Sequence, residues 1–396
     1  MTKPCIDNPE IKKALEGICQ TITDNGGYID PNIAFSYKND DFSVYKTDEI
    51  TAPHALKIPH DLLVPFRAFD LDVEDGRIVI DAHQDHVTPL QLNMFEKILA
   101  LYNATLLFSN HYRDNPWLNY ERHHQIVALL LRGRVGHDMS LIRKMLTDPD
   151  YKDELALFTF FKKRVAHSRL HSSSTQRTEV IMPLIEFLTH HPQGARYKNI
   201  HDDDGGASYM TITAHSPVEG SNLCYASFGS IDALEGYLHY GFVAENVPFA
   251  RSVPLQIEVE GLGKIIVSAN NAPVPMNKRP PHLQNLGYYL PSMKFFDEDN
   301  ALRLSHLVMP GPAAPQSLKR VLREAVLAFD AKMDDAAIAS YVKDIEVQLI
   351  EQNLDFYSEL SSLVDFSPAS SVLIRDLKRV IEHQRQIIAL YQKSFI

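Results

Sequence analysis

The chain has 396 residues, 45% of them hydrophobic and 22% charged, a globular balance that excludes a disordered or fibrous protein. Its 50 acidic and 39 basic residues leave a net charge of −11, which argues against nucleic-acid binding, since phosphate neutralisation needs clustered Lys and Arg. The three cysteines, Cys5, Cys19 and Cys224, are an odd number with no CxxC or zinc-ligand spacing, so they read as reduced thiols of a cytoplasmic protein. The N-terminal stretch has no apolar signal core, and no run approaches the ~18 apolar residues of a membrane span. The expectation is a soluble chain with no membrane attachment, long enough for two domains.

In chain order, Ile11, Leu15, Ile18 and Ile22 predict a helix over residues 9–24. Short strand-like runs follow at 33–37, 42–46, 55–59 and 78–80, separated by polar turns. From about 90 to 165 the pattern is helical, with Leu92, Phe95, Ile98, Leu99 and Tyr102 on one face and Val127, Leu130 and Leu131 on another. Strand patterning returns near 207–214, 222–228, 254–260 and 264–268. The Met309-Pro310-Gly311-Pro312 stretch reads as a linker. Beyond it lie two helical stripes, one over Leu318 to Phe329 and one over Leu373 to Tyr391, the second opened by Ser367-Pro368.

This order predicts an α+β fold: a β domain over residues 1–295, split by a helical insertion at about 90–165, and an all-helical module over 296–396. Within the first domain, residues 20–90 and 165–275 are expected to share one β-rich body.

Several strings resemble those of SET-domain protein methyltransferases related to plant Rubisco large-subunit lysine methyltransferase. They are Gly26-Gly27-Tyr28, Trp117-Leu118-Asn119-Tyr120, His167-Ser168-Arg169, the run Met182-Pro183-Leu184-Ile185-Glu186-Phe187-Leu188-Thr189-His190, and Phe228-Gly229 through Tyr240-Gly241-Phe242. The resemblance implies a SET-like domain with a helical partner-binding module. It also implies S-adenosylmethionine as cofactor and a lysine or histidine side chain of a protein or peptide as methyl acceptor.

Methyl transfer from a sulfonium is an in-line displacement, so the protein chiefly aligns the reactants. A lysine acceptor must be neutral, which burial promotes, and oxygen atoms around the methyl form weak C–H···O contacts. By the resemblance, the cofactor-contact candidates are Ser168, Arg169, Thr189, His190 and Phe228. The Arg169 guanidinium suits the cofactor carboxylate.

Three departures from the family pattern bear on the chemistry. Thr189 stands where the family has asparagine. Phe228 replaces the catalytic tyrosine, which leaves Tyr225 and Tyr240 as candidate hydroxyl donors. Asp41-Phe42-Ser43 aligns with a Gly-x-Gly whose glycines let the backbone approach the cofactor.

These departures keep two other readings open. One is a catalytically degenerate SET-like protein-binding module. The other is a different enzyme on the same fold, with His83-x-x-His86, His123-His124 and His190-His191 as conceivable metal ligands.

Overall fold

The first helix starts at Pro9 for reasons visible in the sequence. The Asn8 side chain accepts hydrogen bonds from the amides of Glu10 (2.9 Å) and Ile11 (3.3 Å), and a proline at the first helical turn has no amide to leave unpaired. The helix, Pro9–Asp24, then lays Ile11, Leu15, Ile18 and Ile22 into the core. The structure is a computed structural model and describes residues 6–168, 177–201, 207–270, 272–312, 314, 316–367 and 372–395. The fold is α+β, and the chain forms two compact units: Met1–Leu118 with Asp148–Gly229, and Asn119–Thr147 with Ser230–Ile396.

The first unit is built from short sheets around an aromatic core. Tyr28–Ile29, Leu56–Pro59, Ser208–Ile212 and Lys198–His201 form a four-stranded antiparallel sheet in that spatial order. Val64–Pro65, Thr178–Ile181 and Val165–Ser168 form a second, three-stranded one. Helix Pro89–Asn103 opens with a capping box, in which Thr88 and Gln91 satisfy each other's amides. It turns Phe95 and Tyr102 toward Phe160, Phe161 and Phe187, whose rings pack mostly edge to face.

In the second unit, Leu255–Val259, Gly263–Val267, Ala301–Leu304 and Met293–Phe296 form a four-stranded sheet. Three helices follow: Ser317–Phe329, Asp335–Asp365 and Val372–Phe395.

The unit boundary falls after Gly229 and not at 295/296, and pairing explains the difference. The strands at 255–259 and 263–267, expected alongside residues 20–90, find their partners at 293–304 instead. They are also tied to the long helix, where Gln348 and Gln352 donate to the carbonyls of Glu258 (3.0 Å) and Gln256 (2.9 Å). The helical insertion runs from Pro89 to Lys162, but its middle, 119–147, belongs to the second unit.

The Pro-rich stretch is not a linker. Val308–Pro310 is a buried strand paired with Phe249–Arg251, and a Cβ on Gly311 would lie 2.0 Å from the carbonyl oxygen of Pro248. Of the Ser367-Pro368 helix start, Pro368 lies outside the described residues.

The second unit buries a connected set of charges. Arg134 Nη1 meets Glu235 Oε1 at 2.7 Å, and His239 Nε2 lies 3.0 Å from Glu235 Oε2. Asp232 accepts from the amides of Glu235 (2.8 Å) and Arg251 (2.7 Å) and from Gln384 Nε2 (2.8 Å). Burial opposes ionisation of Glu235, but Arg134 and His239 outweigh it and hold the carboxyl below the usual range.

Removing one partner of such a pair strands the other charge. Arg134→Met should therefore lower unfolding free energy by about 3–5 kcal/mol in urea titrations, and the Arg134→Met/Glu235→Leu double variant should recover most of it. Equal losses in the single and double variants would contradict this account.

Candidate functional site

The site residues of the first unit gather on an unusual strand pairing. Thr189–Ala195 runs parallel to the two-residue strand Tyr225–Ala226, with Thr189 opposite Tyr225 and His190 opposite Ala226. The register then breaks, and Ala195 also pairs with Ala226. The bulge between them depends on Gly194: a Cβ there would sit 2.7 Å from the Ala226 carbonyl carbon, closer than real side chains come. Its place is signalled in the sequence only by a glycine inside a strand-like run.

His190 is the hub of this pairing. Its Nδ1 accepts the Phe228 amide at 3.1 Å, and the two rings lie 5.1 Å apart. Burial, with His191 beside it, pushes the imidazole pKa down to about 4. At neutral pH the ring is uncharged, and with Nδ1 accepting, its proton sits on Nε2. Thr189 is exposed. The Tyr225 amide donates to the His215 carbonyl at 2.9 Å, and its ring meets His191 edge-on at 5.6 Å. His215 is a participant that the sequence reading did not single out, and His191 entered it only as a conceivable metal ligand.

Ser168 ends the Val165–Ser168 strand and is buried. Its Oγ lies 3.4 Å from Asn199 Oδ1, an atom that His60 Nε2 also meets at 2.9 Å. Arg169 lies outside the described residues. Tyr240 belongs to the second unit, at the end of the π-helical turn Gly236–Tyr240, with its ring 5.9 Å from Phe242.

The Asp41-Phe42-Ser43 segment lies in the strand Asp41–Lys46. Phe42 is buried, stacked on Phe187 at 4.4 Å and tilted against Tyr37 at 5.0 Å. Burial raises the Asp41 carboxyl pKa even though the Phe42 amide and Arg164 favour its charge. Glu186, in the Pro-Leu-x-x string, accepts the Tyr102 hydroxyl, and burial pushes its pKa up to about 7. Tyr102 and Glu186 thus form a buried acid–phenol pair that no periodicity in the sequence announces.

The histidine pairs do not assemble into a metal centre. His83 and His86 are exposed, and among the described residues no group of three or more His, Cys, Asp and Glu could hold a metal ion. Among the described residues no helix is long and apolar enough to cross a membrane.

The depressed His190 pKa has a defined consequence. The unfolded chain, with an ordinary histidine near 6.5, takes up this proton first. The stability held by neutral His190 is therefore complete above about pH 6.5 and is lost as pH falls through about 4. In an NMR titration the His190 ring should show a midpoint near pH 4, and the Phe228 amide should shift with it as Nδ1 stops accepting. A midpoint near the ordinary value of about 6.5 would contradict the geometry described.

The sequence matches no family model and no curated protein. Among solved structures, the chain is similar to the SET domain of LSMT bound to lysine and AdoHcy, at 12% identity and a TM-score of 0.43, covering 97% of this chain and 92% of that one. It is also similar to Rubisco LSMT bound to AdoMet, at 13% identity and a TM-score of 0.41, covering 96% of this chain and 92% of that one.

Proposed function

We propose that this chain is an S-adenosylmethionine-dependent methyltransferase acting on a lysine or histidine side chain of a protein. The observation that carries the reading is the convergence of Thr189, His190, Tyr225 and Phe228, from segments far apart in the chain, on one short parallel pairing. The residues fit the adenosine end of such a cofactor. Thr189 offers an exposed hydroxyl, and the Phe228 ring keeps the packing of the tyrosine it replaces by the resemblance without that tyrosine's hydroxyl. A neutral His190 brings no positive charge toward a sulfonium. Arg169 and Ser168 remain the candidates for the cofactor's polar end.

When bound, the cofactor supplies an electrophilic methyl group on sulfur. The chain's share is orientation, exclusion of water from the acceptor amine, and an oxygen beside the methyl. With no hydroxyl at position 228, Tyr225 is the proposed source of that oxygen within the first unit. Tyr240 is the candidate that the family resemblance adds.

A second reading, a protein-binding module without transfer activity, is favoured by Phe42. It stands between Asp41 and Ser43, which replace the two glycines of the resembled pattern, and its ring is buried against Phe187.

Calorimetric titration with S-adenosylhomocysteine separates the two. The native chain should bind, and Arg169→Ala should weaken binding by about 1.5–3 kcal/mol, the range for a hydrogen bond to a charged group. In a methyl-incorporation assay on a cell-extract protein pool, Phe228→Tyr should raise the rate by about fivefold. Tyr225→Phe and Tyr240→Phe should each lower it similarly, the worth of one C–H···O contact of about 1 kcal/mol. A folded native chain that binds no S-adenosylhomocysteine would leave the binding module as the reading.

A further inference from the structure

Within the second unit, the last helix, Val372–Phe395, grips the segment that carries Tyr240 at both of its ends. At the start, the buried Gln384 donates through Nε2 to Asp232 (2.8 Å), the residue that caps the short turn Ala233–Glu235. At the far end, the Arg379 guanidinium meets both carboxylate oxygens of Glu245, Nε to Oε1 at 2.8 Å and Nη2 to Oε2 at 3.0 Å. His383, one turn along the helix, donates through Nε2 to the Glu245 carbonyl at 2.9 Å. Arg379 also reaches Asp376 on its own helix (3.3 Å), which steadies the guanidinium.

What lies between these ties depends on them. Gly236–Tyr240 is a π-helical turn, a rare geometry. The chain leaves it through Gly241 in the left-handed region (φ 73°), and the Phe242 amide reaches back to the Gly236 carbonyl only at 3.4 Å. From Gly241 to Pro248 there is no helix or strand to hold the backbone. Ala244 and Val247 are buried there, but apolar burial is non-directional, whereas the Glu245 contacts fix the direction of the loop.

We propose that the last helix positions Tyr240, with Gln384 fixing the start of its segment and Arg379 and His383 fixing the end. The proposal rests on the reading of Tyr240 as a hydroxyl source for methyl transfer. The two ties differ in what else they do. Gln384 is bonded into the buried charges around Asp232, so its loss would disturb folding. Arg379 and Glu245 are both nearly half exposed, where an ion pair adds little to stability, so this tie can be cut in a folded chain.

The test places 3-fluorotyrosine at position 240 alone in the full chain and reads its ring by fluorine NMR. The native chain should give one sharp resonance. Glu245→Ala and Arg379→Met should each shift and broaden it, and the double variant should match the singles, because they remove one shared contact. Lys393→Met, an exposed change on the same helix outside the clamp, should leave the resonance as it is. Thermal midpoints should stay within about 2–4 °C of the native value, which separates a positional effect from unfolding.

In the methyl-incorporation assay, Glu245→Ala should lower kcat by up to about fivefold, the loss expected of Tyr240→Phe, with KM for the cofactor unchanged. In a Tyr240→Phe background it should cost nothing further, since the clamp acts through that hydroxyl. A resonance unchanged in both Glu245→Ala and Arg379→Met would overturn the proposal whatever the activity. So would a further loss of kcat in the Tyr240→Phe background. A native chain that binds no S-adenosylhomocysteine would remove the methyl-transfer reading instead, and the fluorine resonance would still decide whether the last helix sets the position of the ring.

Discussion

Gly194 and Ala226 pass so closely that no side chain fits between them, and the candidate site depends on that approach. Without it, the strand at 189–195 could not bulge around the two-residue strand at 225–226 and pair with Ala226 twice. The bulge carries His190 to the backbone of Phe228, fixes the imidazole tautomer through the Phe228 amide, and sets the two rings in a tilted contact at 5.1 Å. A methyl group at position 194 would collide with backbone, which cannot move as a flexible side chain can. The chemistry proposed for the site thus rests on a glycine that takes no part in it.

The second unit is organised by a different constraint, the need to satisfy buried charge. Asp232 and Glu235 lie on one short turn, and each has its carboxylate occupied by distant segments: Arg134 from the helical insertion, Arg251 from a strand, and Gln384 from the last helix. Such contacts tie four parts of the sequence together in one geometry. They also explain why residues 119–147 leave the rest of the insertion and join this unit, since Arg134 brings a charge that Glu235 neutralises.

The elements were legible where local chemistry decides them. The opening helix follows from the three- and four-residue spacing of Ile11, Leu15, Ile18 and Ile22, and the helical stripe at 318–326 is buried as its spacing requires. The unit boundary was not legible, because it depends on which strands pair, and short strands at 255–267 look alike whether they join one sheet or another. The proline stretch misled for a physical reason. Proline usually breaks structure, but at the end of a two-stranded pairing Pro310 needs no amide donor and can be buried. In the site, the motif strings brought Thr189, His190 and Phe228 into view, and Tyr225 entered only as a hydroxyl near Phe228 in the sequence. The supporting histidines, the Tyr102–Glu186 pair and the burial of Phe42 arise from tertiary packing that no periodicity encodes.

Two departures pull the functional reading against the His190 hub: Asp41 and Ser43 stand where the resembled pattern has glycines, on either side of the buried Phe42, and Phe228 stands where it has tyrosine. The central claim is that the 189–195/225–226 pairing is itself the cofactor-binding surface. Hydrogen–deuterium exchange on the native chain, with and without S-adenosylhomocysteine, tests this directly. The account predicts slowed exchange at the amides of His190, His191 and residues 226–228. Ligand binding that protects amides elsewhere while leaving these unchanged would contradict it.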